Sequence, residues 1–132
     1  MSGIEYGFGT TLQDVTFEDA VERVTACLKD EGFGVLTEID VQATLKKKLD
    51  VDFRPYTILG ACNPELAKQA LDAEPSIGLL LPCNVVVQTT ATGVTVTVAD
   101  PKAMFQVVDN DAVAPVAADA EARLRRVVAA LG

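Results

Sequence analysis

Two cysteines stand in near-matching settings, at the ends of Ile58-Leu59-Gly60-Ala61-Cys62 and Leu79-Leu80-Leu81-Pro82-Cys83, and each is followed by Asn. Each follows an apolar run that reads as a strand, and the end of a buried strand is where a rigid core aims side chains into a cleft. Three chemistries are open to such a pair. A thiolate nucleophile needs its pKa lowered locally. Cys62 has a route to that, because Asn63-Pro64 reads as a helix start whose dipole favours negative charge. A redox pair needs both sulfurs on neighbouring strands within disulfide reach. A metal site needs further ligands, and with a 21-residue gap and no C-x-x-C the zinc signal is weak. Against all three stands the plain role of cysteine as a small core residue. The third cysteine, Cys27, sits beside Leu28 on a helical stripe and reads as packing.

Glu38 and Asp40 flank Ile39, so on an extended strand their carboxylates share a face. Two carboxylates on one face bind a cation, share a proton or act as acid and base. Asp40 also stands where a helix cap belongs, and Glu38 reads equally as a solvated strand residue. Lys46, Lys47 and Lys48 form the only basic run, which most simply solvates a helix face. Lys46 or Lys48 turned inward would supply a cation toward Glu38 or an anionic ligand. Asn84 has no evident structural task and is a candidate to orient a ligand through its amide, whereas Asn63 reads as a helix cap. The chain has no histidine, which removes Ser-His-Asp and Cys-His catalysis and every imidazole ligand. Tyr6-Gly7-Phe8-Gly9-Thr10 is not a G-x-G-x-x-G phosphate fingerprint and precedes no helix directly.

The elements that would position these groups follow from periodicity. Residues 6–12 alternate loosely and read as a strand. Thr16 caps a helix, with Asp19 three residues on and Phe17, Ala20, Val21, Val24 and Leu28 on one face; Gly32 ends it. Residues 33–39 read as a second strand and 41–49 as a short helix with its lysines toward the carbonyl end. Residues 56–61 read as a third strand, followed by a helix with a stripe of Leu66, Ala67, Ala70 and Leu71 that stops before Pro75. Residues 84–90 and 94–99 read as an antiparallel hairpin with Gln88, Thr89, Thr90, Thr95 and Thr97 on its exposed face. Asp100-Pro101 opens a turn, and 115–131 form the last helix, with Arg123, Arg125 and Arg126 toward its C-terminal half. The expected class is α+β: a mostly antiparallel sheet with helices packed on one face, in one domain over residues 1–132.

Composition bounds the partners. Apolar residues make up 49% of the 132, enough for a core, and 11 Lys+Arg against 19 Asp+Glu leave a net charge of −8. That balance argues against nucleic acid and anionic membranes as partners. Met1-Ser2-Gly3-Ile4-Glu5-Tyr6-Gly7 lacks the basic start and apolar run of a signal peptide, and no apolar stretch is long enough to span a bilayer. A cytoplasmic protein is the expectation, and an odd cysteine count fits it. No cofactor is named by any motif.

Four ordered stretches together resemble the bacterial and archaeal family called domain of unknown function 302. They are the segment from Gly32-Phe33-Gly34 through Thr37-Glu38-Ile39-Asp40, then Ala43-Thr44-Leu45-Lys46-Lys47-Lys48, then the Cys62 and Cys83 segments quoted above. The resemblance implies a compact TATA-binding-protein-like arrangement, β-α-β-β-β-β-α with inserted helices, and a homodimer. It implies no activity, and a shared fold would not supply one. The functional expectation is a small-molecule or ion binding module. The alternatives are a thiol-dependent enzyme or sulfur-redox protein using Cys62 and Cys83, and an interaction domain with no site.

Overall fold

Residues 4–132 are described by the structure, a computed structural model. Residues 1–3, part of the segment inspected for a leader, lie outside them. Five antiparallel strands form one sheet: β1 (Gly7–Leu12), β2 (Gly34–Asp40), β3 (Tyr56–Cys62), β4 (Cys83–Thr90) and β5 (Gly93–Ala99), in the order β1-β5-β4-β3-β2. The long helices α1 (Phe17–Asp30) and α5 (Ala114–Leu131) cover one face, while α2 (Val41–Leu49), α3 (Pro64–Ala73) and α4 (Pro101–Phe105) are insertions. The expected α+β class and the β-α-β-β-β-β-α order are both present.

Local chemistry explains most element ends. The Thr16 hydroxyl accepts from the Asp19 amide at 3.0 Å, and α1 stops at Gly32, whose φ of +85° suits glycine. Asp40 Oδ1 accepts from the Ala43 amide at 2.9 Å to start α2, and Asn63 Oδ1 accepts from the Leu66 amide at 3.2 Å to start α3. Strand alternation then sorts the sheet. Leu59, Ala61, Val85, Val87, Val94, Val96 and Val98 are buried under the helices. On the other face the Thr11, Thr90 and Thr95 hydroxyls bond one another. Thr95 is buried there among its neighbours rather than exposed, and Thr89, paired with Val94, shares the helix-covered face. The expected exposed threonine face is therefore only partly so.

The apolar residues form two clusters that share one helix. The C-terminal half of α5 (Leu124, Val127, Leu131) packs with α1 on the sheet. Its N-terminal half (Val116, Ala117, Ala120) packs with Leu66 and Ala70 of α3, Phe105 of α4 and Ile77. Arg123 and Arg126 reach away from their own helix. Arg123 donates to the Glu31 carbonyl oxygen at 3.1 Å, and Arg126 pairs with the Glu31 carboxylate at 2.9 Å, tying α5 to the turn between α1 and β2. Arg125 pairs with Glu121 and lies over the Phe8 ring at 4.1 Å.

One segment departs from expectation. The apolar run before Cys83 is not a strand: residues Pro75–Leu80 form a 3₁₀ helix. Pro75 sets its first turn, Ile77 is its one buried anchor and Leu79 is 88% exposed. A run of leucines with a single inward position has no second strand-face to bury.

Candidate functional site: a thiol-lined cavity at the seam of two cores

Ala61 pairs with Cys83 across β3 and β4, which makes Cys62 the diagonal neighbour of Cys83. Cys62 is the last residue of its strand and Cys83 the first of its own, so both lie at the same end of the sheet. Alternation along β3 continues through the extended, buried Asn63, so Cys83 shares the helix-covered face with Ala61 while Cys62 is directed to the other face. Both residues border one small cavity of about 30 Å³ between the two apolar clusters. Its walls are Phe33 and Ala61 from the sheet side, Leu66 and Ala70 of α3, Phe105 of α4 and Ala120 of α5. A second groove of about 220 Å³ adjoins it, sharing Leu81, Cys83, Pro101 and Phe105 and adding Asn84 at its rim.

Burial governs the thiols. It pushes the Cys62 thiol above its ordinary range. It pushes Cys83 up to about 11, with the nearby Cys62 raising it further. The Cys62 thiol is therefore raised by loss of hydration rather than lowered as a nucleophile at the α3 N-terminus would require. Both groups are neutral thiols at pH 7, and all three cysteines are free. Cys27 lies on α1 against the main core, as its spacing suggests.

The other sequence-predicted residues are elsewhere. Glu38 and Asp40 do share a face, paired with Leu59 and Thr57. Along β3 those partners are three and five residues from Cys62, roughly 10 and 17 Å at strand rise. Neither carboxylate lines the cysteine cavity, and Asp40 caps α2. Lys46 pairs with Asp50 at 3.1 Å and Asp52 at 3.4 Å rather than with Glu38. Lys48 is exposed. Glu38 and Asp40 therefore do not join the cysteines in one pocket. Among the described residues no three His, Cys, Asp or Glu side chains cluster as a metal site would require.

Sequence reasoning passed over two features. The apolar wall from α4 and α5 comes from residues more than 40 positions beyond Cys62, and no local pattern marks them. At the far end of the sheet, Arg54 lies 4.5 Å over Phe53 and 5.6 Å from Tyr56, and its Nε donates to Gln88 Oε1 at 2.9 Å. The adjacency of Phe53, Arg54 and Tyr56 was the available signal for that stack.

A five-stranded antiparallel sheet with two helices on one face and a thiol-lined seam defines a small α+β domain, and its class is matched elsewhere. The crystal structure of an uncharacterized conserved DUF302 protein from Bacillus stearothermophilus superposes with a TM-score of 0.89 at 28% identity, covering 98% of this chain and 100% of that one. The family model for the domain of unknown function DUF302 matches residues 8–131, and the chain belongs to that family. No curated protein matches it. Among the described residues no helix is long and apolar enough to cross a membrane.

Proposed function

We propose that this chain is a small-molecule or ion binding module whose site is the Cys62–Cys83 cavity with its adjoining groove. The observation that carries this reading is an apolar cavity bordered by Cys62, Asn63 and Cys83, at the shared end of two neighbouring strands. A groove that shares Cys83 extends the room available to a ligand. A thermal-shift screen over metals, thiol reagents and small metabolites tests it. A ligand that raises the melting temperature of the wild type, but not of Cys62→Ser, is the expected result. A panel with no Cys62-dependent shift overturns it.

The sulfur-redox reading is the alternative, since Cys62 and Cys83 lie one register position apart on paired strands. It ranks second because exchange proceeds through a thiolate and burial disfavours that form at both residues. The three free cysteines suit a reducing, cytoplasmic setting.

The partner we propose is a second copy of the chain. Leu36 on β2 is 67% exposed, and Ile39, Leu49 and Val51 near it are exposed as well. β2 also ends the sheet with one unpaired edge, a pattern that natural proteins usually cover. Sedimentation at micromolar concentration is expected to give twice the chain mass, and Leu36→Lys is expected to return it to monomer. Monomer alone in the wild type would remove the proposal.

A further inference from the structure

We propose that the groove beside the 3₁₀ helix docks a basic, amphipathic helical segment of a protein partner. This goes beyond the binding-module reading and does not depend on the cysteines.

Leu79 and Val107 are the two most exposed large apolar side chains among the described residues, at 88% and 77%. They belong to different segments, the 3₁₀ helix and the stretch that follows α4, yet both line one groove of about 350 Å³. Buried Ile77 and partly buried Val108 add apolar lining. Leu79 and Leu80 also line the groove beside Cys83, so the two hollows adjoin. Single exposed leucines are ordinary, whereas apolar side chains that share a groove form a patch, and such patches mark contact surfaces.

The fold holds the groove in shape. Asn110 Nδ2 donates to the Ala73 carbonyl oxygen at 2.9 Å and to Glu74 Oε1 at 3.1 Å, tying the segment that carries Val107 to the end of α3. Its Oδ1 accepts from the Ala112 amide at 2.9 Å, so both ends of the side-chain amide are engaged. Walls fixed in advance lower the ordering cost of binding.

Charge selects the occupant. Glu74 and Asp109 are the charged residues of the lining, and no Lys or Arg joins them. Neither is in an ion pair among the described residues. Asn110 is a neutral donor, so it orients the Glu74 carboxylate without cancelling its charge. Two uncompensated carboxylates beside an apolar hollow attract a segment that carries Lys or Arg next to apolar side chains. A helix with an apolar stripe and basic flanks meets both demands, with the stripe laid in the groove. The same charges weigh against two rivals. A two-fold contact between copies of this face brings like-charged rims together, and an anionic lipid surface is repelled.

The test follows the anisotropy of a dye-labelled synthetic peptide of about 18 residues, with Leu and Lys spaced to give one apolar helical face, added to the full chain in physiological salt. Saturable binding is expected, weaker by about tenfold or more for Leu79→Ser, for Val107→Ser and for a scrambled peptide of the same composition. Asp109→Lys is expected to weaken binding and to flatten its salt dependence. Both apolar positions are exposed, so their variants are expected to keep the wild-type melting temperature. Amide shifts of the wild type, which need no variant, are expected to move at Leu79 and Val107. No saturable binding, or equal affinity of Leu79→Ser or of the scrambled peptide, overturns the proposal. So does a dimer in sedimentation, or flotation with phosphatidylcholine vesicles, that Leu79→Ser abolishes, since a second copy or a lipid surface then covers this face. A Cys62-dependent thermal shift is untouched by any of these outcomes, so the two readings fail separately.

Discussion

Gly9→Ala is expected to lower the melting temperature by about 10 °C, although it adds a single methyl group to an edge strand. On β1, Gly9 pairs with Thr97, and a Cβ there would collide with the Val96 carbonyl oxygen and stand 2.9 Å from both the Val96 carbonyl carbon and Thr97 Cα. All three atoms are backbone, so no rotamer change relieves the clash. The adjacent open-face position, Gly7, also approaches β5 closely, its Cβ meeting the Val98 carbonyl oxygen at 2.9 Å. The response available is for β1 to peel from β5 between Gly7 and Gly9. That forfeits ladder hydrogen bonds worth about 1 kcal/mol each and loosens Phe8 under Arg125. The sum is about 3 kcal/mol, a large share of the stability of a domain this size. Thermal unfolding checks it; a shift of only a degree or two would mean that β1 approaches β5 less closely than described.

The second large effect is a loss of stability in alkali that depends on Cys83. Its thiol holds its proton to about 11 in the folded chain against about 9 in the unfolded chain. Below pH 9 both states are protonated and the burial of a neutral thiol is fully tolerated. Between pH 9 and 11 the unfolded state binds fewer protons than the folded one, so stability falls as pH rises. Two pKa units correspond to an upper bound near 3 kcal/mol, and about 2 kcal/mol is expected after partial solvent screening. The raised Cys62 thiol adds loss of the same sign. Denaturant unfolding of wild type and Cys83→Ala at pH 8, 9, 10 and 11 isolates the effect from lysine and tyrosine titration. The gap between the two proteins should narrow across that window. A gap independent of pH would show that Cys83 titrates alike in both states.

Elements whose limits are set by neighbouring residues were readable in the sequence. Thr16 with Asp19, Asp40, and Asn63 with Pro64 cap helices as their spacing implies, because capping chemistry acts within three residues. The hairpin of β4 and β5 was equally plain from its alternation. The leucines before Cys83 misled because strand and 3₁₀ turn both accept a short apolar run, and only the tertiary fit of Ile77 decides between them. Gly7 and Gly9 were placed correctly on the first strand, whereas their role depends on how closely β5 approaches, which adjacent residues do not reveal. Strand pairing brings Cys62 and Cys83 to the same end of the sheet, one register position apart, which no local pattern in the sequence could fix. The separation of Glu38 from both follows from where along β3 its partner lies. The route offered to a lowered Cys62 pKa rested on the helix start, which is local and visible, whereas the burial that raises both thiols is a tertiary property.

The sharing of α5 between two apolar clusters bears on cooperativity. A sheet layer clamped by Leu124, Val127 and Leu131 can persist while the layer of α3, the 3₁₀ turn and α4 opens away from Val116 and Ala120. Such a subglobal opening costs less free energy than complete unfolding. It would part walls of the cavity that Cys83 borders while leaving β3 and β4 in register, so Cys83 is expected to meet thiol reagents ahead of global unfolding.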